Sequence, residues 1–371
     1  MINEEQVRLA IDLIKNNGLV EVRVIGSGKF DIFSGYFKNV DNLINEVKRF
    51  DKENIYFVLN EIDDACYSRD QQEKIQKSKN TTSDSDIVGR NFILVDIDSD
   101  RAAGVSATDE EKSRAKMVGY KVYRFLRDIG FTAPISASSG NGYHLLYPIK
   151  LANTPENTQL IKDFLGVLDM FFSDVDAKID LSVFNSSRIT RLYGTVCQKG
   201  KSTPERPHRL SEITKAPQEI IPTDISLIRK IVAMKPKPEV KARYNNYNTD
   251  QFDLDSFISK HHIPVQSRSS FSEGEKIVLD HCLFDHSHKA KDAAIFKMSN
   301  GSIGYKCFHN SCADKKWQDV RLLFEPNAYD YKNRNQGFNS FTTQPVAQRQ
   351  TKQERQEEVD SKGEKFLDFS D

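Results

Sequence analysis

The sequence predicts a mixed fold, α/β or α+β, for roughly its first 225 residues, and three observations carry that expectation. Helical stripes alternate with short β-type runs from residue 3 to about residue 172. Phe92-Ile93-Leu94-Val95 is apolar at four consecutive positions, the pattern of a strand covered on both faces rather than half exposed. Glycine and asparagine then gather in one tight stretch, Ser138-Ser139-Gly140-Asn141-Gly142, where a turn joins two strands.

Taken in order, Asn3 with Gln6 forms a candidate capping box. Val7, Ala10, Ile11 and Ile14 then fall on one helical face. Glu21 to Ile25 alternates as a strand does. Leu43, Ile44, Val47 and Phe50 make a second helical stripe, and Ile55–Leu59 a second strand. Residues 68–88 are polar and aperiodic, so they read as a loop leading to the Phe92 strand. Thr108 with Glu111 is another capping box, ahead of a helix burying Ala115, Val118, Val122, Phe125 and Leu126. A strand near Pro134–Ala137, a strand opening at His144 and a long helix over Asn157–Phe172 complete the domain. No internal repeat is visible.

Residues 226–270 lose periodicity and read as a linker, and 271–326 as a small second domain. The tail, 327–371, is rich in Gln, Asn, Lys and Glu and is expected to be disordered. Its closing Phe366-Leu367-Asp368-Phe369 reads as part of that solvated tail rather than as a docking peptide.

The chain has 371 residues, 53 basic against 53 acidic, so overall charge points to no polyanionic partner. Five cysteines and no long apolar run predict a reduced, soluble, cytoplasmic protein with no membrane contact. Local excesses remain: residues 197–243 carry eleven basic against five acidic residues, a patch that could track a nucleic-acid backbone.

Asp96 and Asp98 follow the apolar strand and leave it on the same face. Carboxylates brought to about 4 Å repel by roughly 4 kcal/mol at an effective dielectric near 20. A divalent cation with oxygen ligands offsets that repulsion. Asp180 offers a third carboxylate for Mg²⁺ or Mn²⁺, with Asp174 and Asp176 as competitors. In Ser139-Gly140-Asn141-Gly142-Tyr143-His144, Gly140 and Gly142 free backbone N–H groups to face an anion, and His144 could donate to a phosphate. Arg188 and Arg191 could grip a triphosphate by paired hydrogen bonds. Gly200-Lys201-Ser202-Thr203 is not a P-loop: five residues separate Gly194 from Gly200, and Pro204 and Pro207 forbid the helix that should follow.

Six of the eight histidines lie between 261 and 309, beside Cys282, Cys307 and Cys312. Two ligand pairs about twenty residues apart are the signature of structural zinc, here assigned to Cys282, His288, Cys307 and Cys312. His286 and His309 are alternative ligands. Phe284, Tyr305, Phe308 or Trp317 could stack on unpaired bases or fill a mini-core.

The order Asp96-Ile97-Asp98, then Ser139-Gly140-Asn141-Gly142-Tyr143-His144, then Ile179-Asp180 resembles the three motifs of archaeo-eukaryotic-type primases, most of all the primase-polymerases of phages and plasmids. Residues 20–225 carry the resemblance, and the Cys/His segment resembles the zinc module that accompanies phage primases. It implies an α+β catalytic core with an RNA-recognition-motif-like sheet, in which Asp96, Asp98 and Asp180 hold two metal ions. Ser139, His144 and Arg188 would contact the incoming nucleotide. The implied function is synthesis of short oligonucleotides from NTPs or dNTPs on single-stranded DNA, in a bacterial or phage-infected cytoplasm, with a separate helicase. The alternatives are a non-catalytic zinc-containing protein that binds single-stranded nucleic acid, and a haloacid-dehalogenase-type phosphohydrolase. The Ser99-Asp100 that follows the aspartate pair argues against the hydrolase.

Overall fold

Helix α1 (Glu4–Lys15) begins where the capping signal places it: Asn3 Oδ1 accepts from the Gln6 amide at 3.2 Å, which occupies one of the first-turn donors a helix leaves unpaired. Val7, Ala10, Ile11 and Ile14 are all buried. The Gln6 side chain does not return to the cap. Its Oε1 accepts from Ile213 N at 2.8 Å, tying α1 to a distant strand. The computed structural model describes residues 2–16, 18–26, 32–69, 71–78, 80–237, 252–288 and 292–329. Residues 1–326 form one unit. The expectation for the tail falls, beyond residue 329, outside the described residues.

Strands β1 (Val20–Ile25) and β2 (Ile32–Phe37), helix α2 (Val40–Lys48) and strand β3 (Asn54–Val58) follow. Strand β2 had no counterpart in the sequence reading, because Ser34 and Gly35 interrupt its alternation. Helix α2 stops before Phe50, whose ring instead meets Phe33 with centroids 5.7 Å apart. A short strand, β4 (Glu61–Ile62), lies just before the segment read as loop, and another, β5 (Gln76–Lys77), lies within it. Strand β6 (Ile87–Ser99) is the longest among the described residues, and Phe92 through Val95 are buried on both of its faces.

Helix α3 (Asp109–Ile129) has the full Thr108/Glu111 capping box and ends at Gly130, whose φ of 106° lies in the left-handed region that glycine tolerates. Next come β7 (Ile135–Ser138), β8 (Tyr143–Ala152), α4 (Pro155–Phe172), β9 (Ala177–Ile179), β10 (Ile189–Arg191), β11 (Val196–Cys197), β12 (Arg209–Leu210), β13 (Glu212–Lys215) and α5 (Ile225–Val232). The strands form two antiparallel sheets of order β10-β3-β1-β2-β5 and β13-β7-β8-β6-β4, with β9 on β6 and a small β11-β12 ribbon beside them. Helix α3 packs on β6 and β8 closely enough that a Cβ at Gly119 would stand 3.1 Å from Tyr143 and 3.3 Å from Ile97. Ile93, Val95 and Ile97 share that helix-covered face, so Leu94, Asp96 and Asp98 must leave the other.

The stretch expected to be a linker is not one throughout. Helix α5 lies at its start, and α6 (Leu254–Lys260) and β14 (Val265–Phe271) at its end belong to the small lobe. With β15 (Gly274–Leu279), β16 (Ala293–Met298) and β17 (Ile303–Cys307), β14 makes a four-stranded antiparallel sheet, closed by α7 (Trp317–Phe324). Leu254, Phe257, Ile277, Leu279, Ile295, Trp317 and Val320 fill one core. The polar, proline-rich composition that suggested a linker overstated its length, because a seven-residue helix and an exposed edge strand carry few apolar residues.

Candidate active site and metal centre

Register brings the first set of candidate residues together. In the pairing of β6 with β8, Asp96 lies opposite His144. On the other edge of β6, Ile97 pairs with Ile179, and the Asp180 amide donates to the Asp96 carbonyl at 2.8 Å. Residues directly opposite on antiparallel strands project to the same face, so Asp96, His144 and Asp180 share one side of the sheet. Asp96 and His144 border a cleft of about 260 Å³ lined also by Asp98, Ser139, Asn141, Arg188, Arg191 and Lys199, with Ile25, Tyr56, Leu94 and Ile189 supplying apolar wall; Asp180 is linked to it through Arg188.

Most of the side chains singled out in the sequence have a definite partner. His144 is buried; Nε2 stands 3.2 Å from Asp96 Oδ1 and Nδ1 is 2.8 Å from the Tyr193 hydroxyl. Both ring nitrogens are thus engaged within the protein, where the sequence suggested a donor to phosphate. Asp98 Oδ1 is 3.3 Å from Arg101 Nη2. Asp180 accepts from the Ser182 amide (2.7 Å) and hydroxyl (3.0 Å) and from Arg188 Nη2 (3.4 Å). The competitors are used elsewhere: Asp174 closes a turn by accepting from Asp176 N and Ala177 N, and Asp176 pairs with Arg114. Arg191 departs from expectation. Asn54 and the Tyr56 hydroxyl accept from its guanidinium, which also stacks 4.4 Å from the Tyr56 ring centroid.

The glycines of the turn are needed sterically. A Cβ at Gly142 would collide with Asp98 Oδ1 and the Ile97 carbonyl, and Gly140 has φ of 91° with Cys197 where its Cβ would be. Ser139 Oγ accepts from the Gly142 amide at 2.8 Å, and Asn141 is pinned between the Ala107 amide and Cys197 Sγ.

The electrostatics fit a cation. Burial pushes the Asp98 carboxyl above its ordinary range and the charge of Asp96 adds to that, against Arg101 and Lys199. Burial also acts on Asp96, but His144, Lys199 and Arg188 outweigh it and hold that carboxyl below its usual range. Asp96 and Asp98 are adjoining carboxylates, one reluctant to ionise, of the oxygen type that Mg²⁺ or Mn²⁺ takes; among the described residues they do not close with Asp180 into a group of donors within 4.8 Å, as the cysteines and His288 do.

The second site is tighter. Cys282, His288, Cys307 and Cys312 have ligand atoms all within 4.8 Å of one another, and the three cysteines are buried. Cys282 Sγ and Cys312 Sγ are 3.8 Å apart, while His288 Nδ1 lies 3.5 Å from Cys307 Sγ and 3.7 Å from Cys312 Sγ. A tetrahedral ion with Zn–S near 2.3 Å and Zn–N near 2.0 Å requires about 3.8 Å between sulfurs and about 3.5 Å between sulfur and nitrogen. The four donors therefore suit zinc. His286 turns to His281, and His309 stacks on His288 with centroids 3.8 Å apart. The aromatic residues proposed for base stacking are committed to packing. Trp317 and Tyr305 are buried, Phe284 meets Tyr305, and Phe308 lies among Phe125, Phe171 and Phe172.

Sequence reading missed Tyr56, Asn141, Tyr193, Cys197 and Lys199 as neighbours of the site. Lys199 stood in the basic stretch and Asn141 within the turn motif itself, but nothing local placed Tyr56 or Tyr193 there.

No protein-family model and no curated protein matches the chain. Among solved structures, it is similar to the crystal structure of primase RepB′, with 9% identity, a TM-score of 0.33, and coverage of 62% of this chain and 61% of that one. It is also similar to the catalytic domain of primase RepB′ in complex with initiator DNA, with 9% identity, a TM-score of 0.32, and coverage of 61% and 93%. The first match spans less than two thirds of that protein's chain. At these TM-scores the likeness decides neither fold nor activity. No helix among the described residues is long and apolar enough to cross a membrane.

Proposed function

We propose that this protein is a DNA primase or primase-polymerase, a nucleotidyltransferase that makes short oligonucleotides on single-stranded DNA. The observation that supports the reading is the register of β8, β6 and β9, which sets His144 and Asp180 on strands either side of Asp96. Divalent cations bound by Asp96, Asp98 and Asp180 would supply Lewis-acid stabilisation of the entering and leaving oxygens of phosphoryl transfer.

The remaining roles fall to the chain's own groups. His144, held by Tyr193, fixes the orientation of Asp96. Arg188 and Lys199 line the same cleft as Asp96 and Asp98 and would meet the triphosphate, with Ser139 in the lining and Gly140 and Gly142 shaping the turn that carries it. Arg191, locked on Tyr56 and Asn54, builds the wall rather than gripping phosphate. Zinc held by Cys282, His288, Cys307 and Cys312 would be structural, since four protein ligands leave no open position. A phage- or plasmid-type replication setting, with unwinding by a separate helicase, is consistent with this assignment.

The test is de novo synthesis on circular single-stranded DNA, with labelled NTPs and dNTPs supplied separately and Mg²⁺ or Mn²⁺ present. Asp96→Ala is expected to abolish product while retaining binding to single-stranded DNA in a gel-shift assay. Product at the wild-type rate from that variant, or none from the wild type, would refute the proposal; in the latter case retained DNA binding would favour a non-catalytic binding protein.

A further inference from the structure

Lys276 is a buried lysine in the middle of β15, on the face turned away from Ile277 and Leu279 and toward helix α4. Its ammonium group donates to the Phe171 carbonyl at 3.3 Å and to the Ser173 carbonyl. These carbonyls belong to the last turn of α4, where acceptors have no intrahelical donor and the helix dipole favours positive charge. Burial draws the ammonium down to about 8, with Asp174 and Asp169 opposing and Lys121 adding to the fall, so it still carries charge at pH 7.

From Ser173 the path to the cleft is short. Ser173 Oγ accepts from the Ile179 amide at 3.0 Å, the Asp174 amide donates to the Ala177 carbonyl at 3.0 Å, and the residue after Ile179 is Asp180, bonded through its own amide to Asp96. A parallel strut runs from Ser272, whose amide (3.1 Å) and hydroxyl (2.7 Å) donate to Asp169 one turn earlier in α4. The Phe171 ring is held against Phe296 and Phe308, centroids 5.4 and 5.5 Å away, and Phe308 directly follows Cys307.

We infer that the small Cys/His lobe braces the third carboxylate, and that Lys276 is a positioning residue for Asp180 acting through Ser173 and Ile179. A methionine would fill the same volume without bonding the α4 carbonyls. The ammonium's hydrogen bonds to those carbonyls therefore tie the end of α4, and the hairpin that carries Asp180, to the small lobe. The inference rests on the proposed role of Asp180, but its structural half can be tested without any activity.

The experiment compares the full-length wild type with Lys276→Met and Ser173→Ala, the second variant cutting the same path without touching the small lobe. Hydrogen exchange over residues 173–182 is expected to quicken about tenfold in both, the equivalent of losing one hydrogen bond, while β7 and β8 exchange as before. In oligonucleotide synthesis, the Mn²⁺ concentration for half-maximal activity should rise by a similar factor, with the KM for nucleotide unchanged. Unchanged exchange over 173–182, or equally faster exchange throughout the chain, overturns the inference, as does a matching rise in nucleotide KM. If the wild type makes no product, the functional reading fails on its own and the exchange comparison still decides the brace.

Discussion

Asp98→Asn should make the metal-free protein more stable while destroying activity. Residues two apart on a strand are separated by about 7 Å, and at an effective dielectric near 20 two charges there repel by roughly 2 kcal/mol. The Asp98 side chain is 40% exposed and that of Asp96 22%, so screening reduces the gain from removing the charge to about 1 kcal/mol. The hydrogen bonds from Arg101 that the substitution weakens are already long, at 3.3 and 3.4 Å. In a chelator, a thermal melt at pH 7 should therefore shift upward by about 2 °C. The sign with pH follows from the raised Asp98 carboxyl: its ionised form opposes folding above its native pKa. The advantage of the variant is thus complete above that pKa and disappears as pH falls through it toward the unfolded value. Oligonucleotide synthesis, which needs the carboxylate, should drop by a factor of about a thousand or more, the equivalent of at least 4 kcal/mol of transition-state stabilisation. A variant less stable than wild type in chelator at pH 7, or one that keeps most of its activity, would refute the reasoning.

Further outcomes are expected elsewhere in the molecule. Gly142→Ala places a methyl group against Asp98 Oδ1 and the Ile97 carbonyl, so denaturant unfolding should show a loss of about 1–3 kcal/mol, together with weaker divalent-ion dependence of synthesis. Metal analysis should give one zinc per chain; Cys312→Ser, or a strong chelator, should remove it and expose β14–α7 to limited proteolysis, because so small a lobe folds on its metal. Lys15 is buried, donates to the Val58 and Asn60 carbonyls, and is drawn down to about 7 by burial, against Glu61 and Glu21. Its charged form opposes folding below that value, so relative to Lys15→Met the wild type should gain a few kcal/mol between pH 7 and about 10, at about 1.4 kcal/mol per pKa unit. Equal pH profiles for the two proteins would exclude that effect.

Much of the candidate site could be read along the chain because its signals are local. The apolar run before Asp96, the Gly140/Gly142 turn and the spacing of Cys282, His288, Cys307 and Cys312 each lie within a short segment, and the structure gathers the four zinc candidates as expected. Capping behaved likewise at Thr108, where side chain and amide are three residues apart. What could not be read was any pairing between distant segments. Arg191 looked free to hold phosphate because Tyr56 and Asn54 are more than 130 residues away. Phe308 looked available to a base because the α3–α4 aromatics that enclose it belong to the other lobe. The small lobe looked shorter than it is, since α6 and β14 expose most of their surface and their periodicity is faint.

The sequence by itself determined which residues could do chemistry: side-chain type, strand period and helix caps depend only on near neighbours, and they nominate the carboxylates, the turn and the cysteines. Tertiary structure decided which nominees meet. Antiparallel register placed Asp180 beside Asp96 and sent Asp174 and Asp176 into a turn, and burial turned His144 inward to Tyr193. That division is physical, because register and burial are fixed by the whole core, and no short window of residues contains the information.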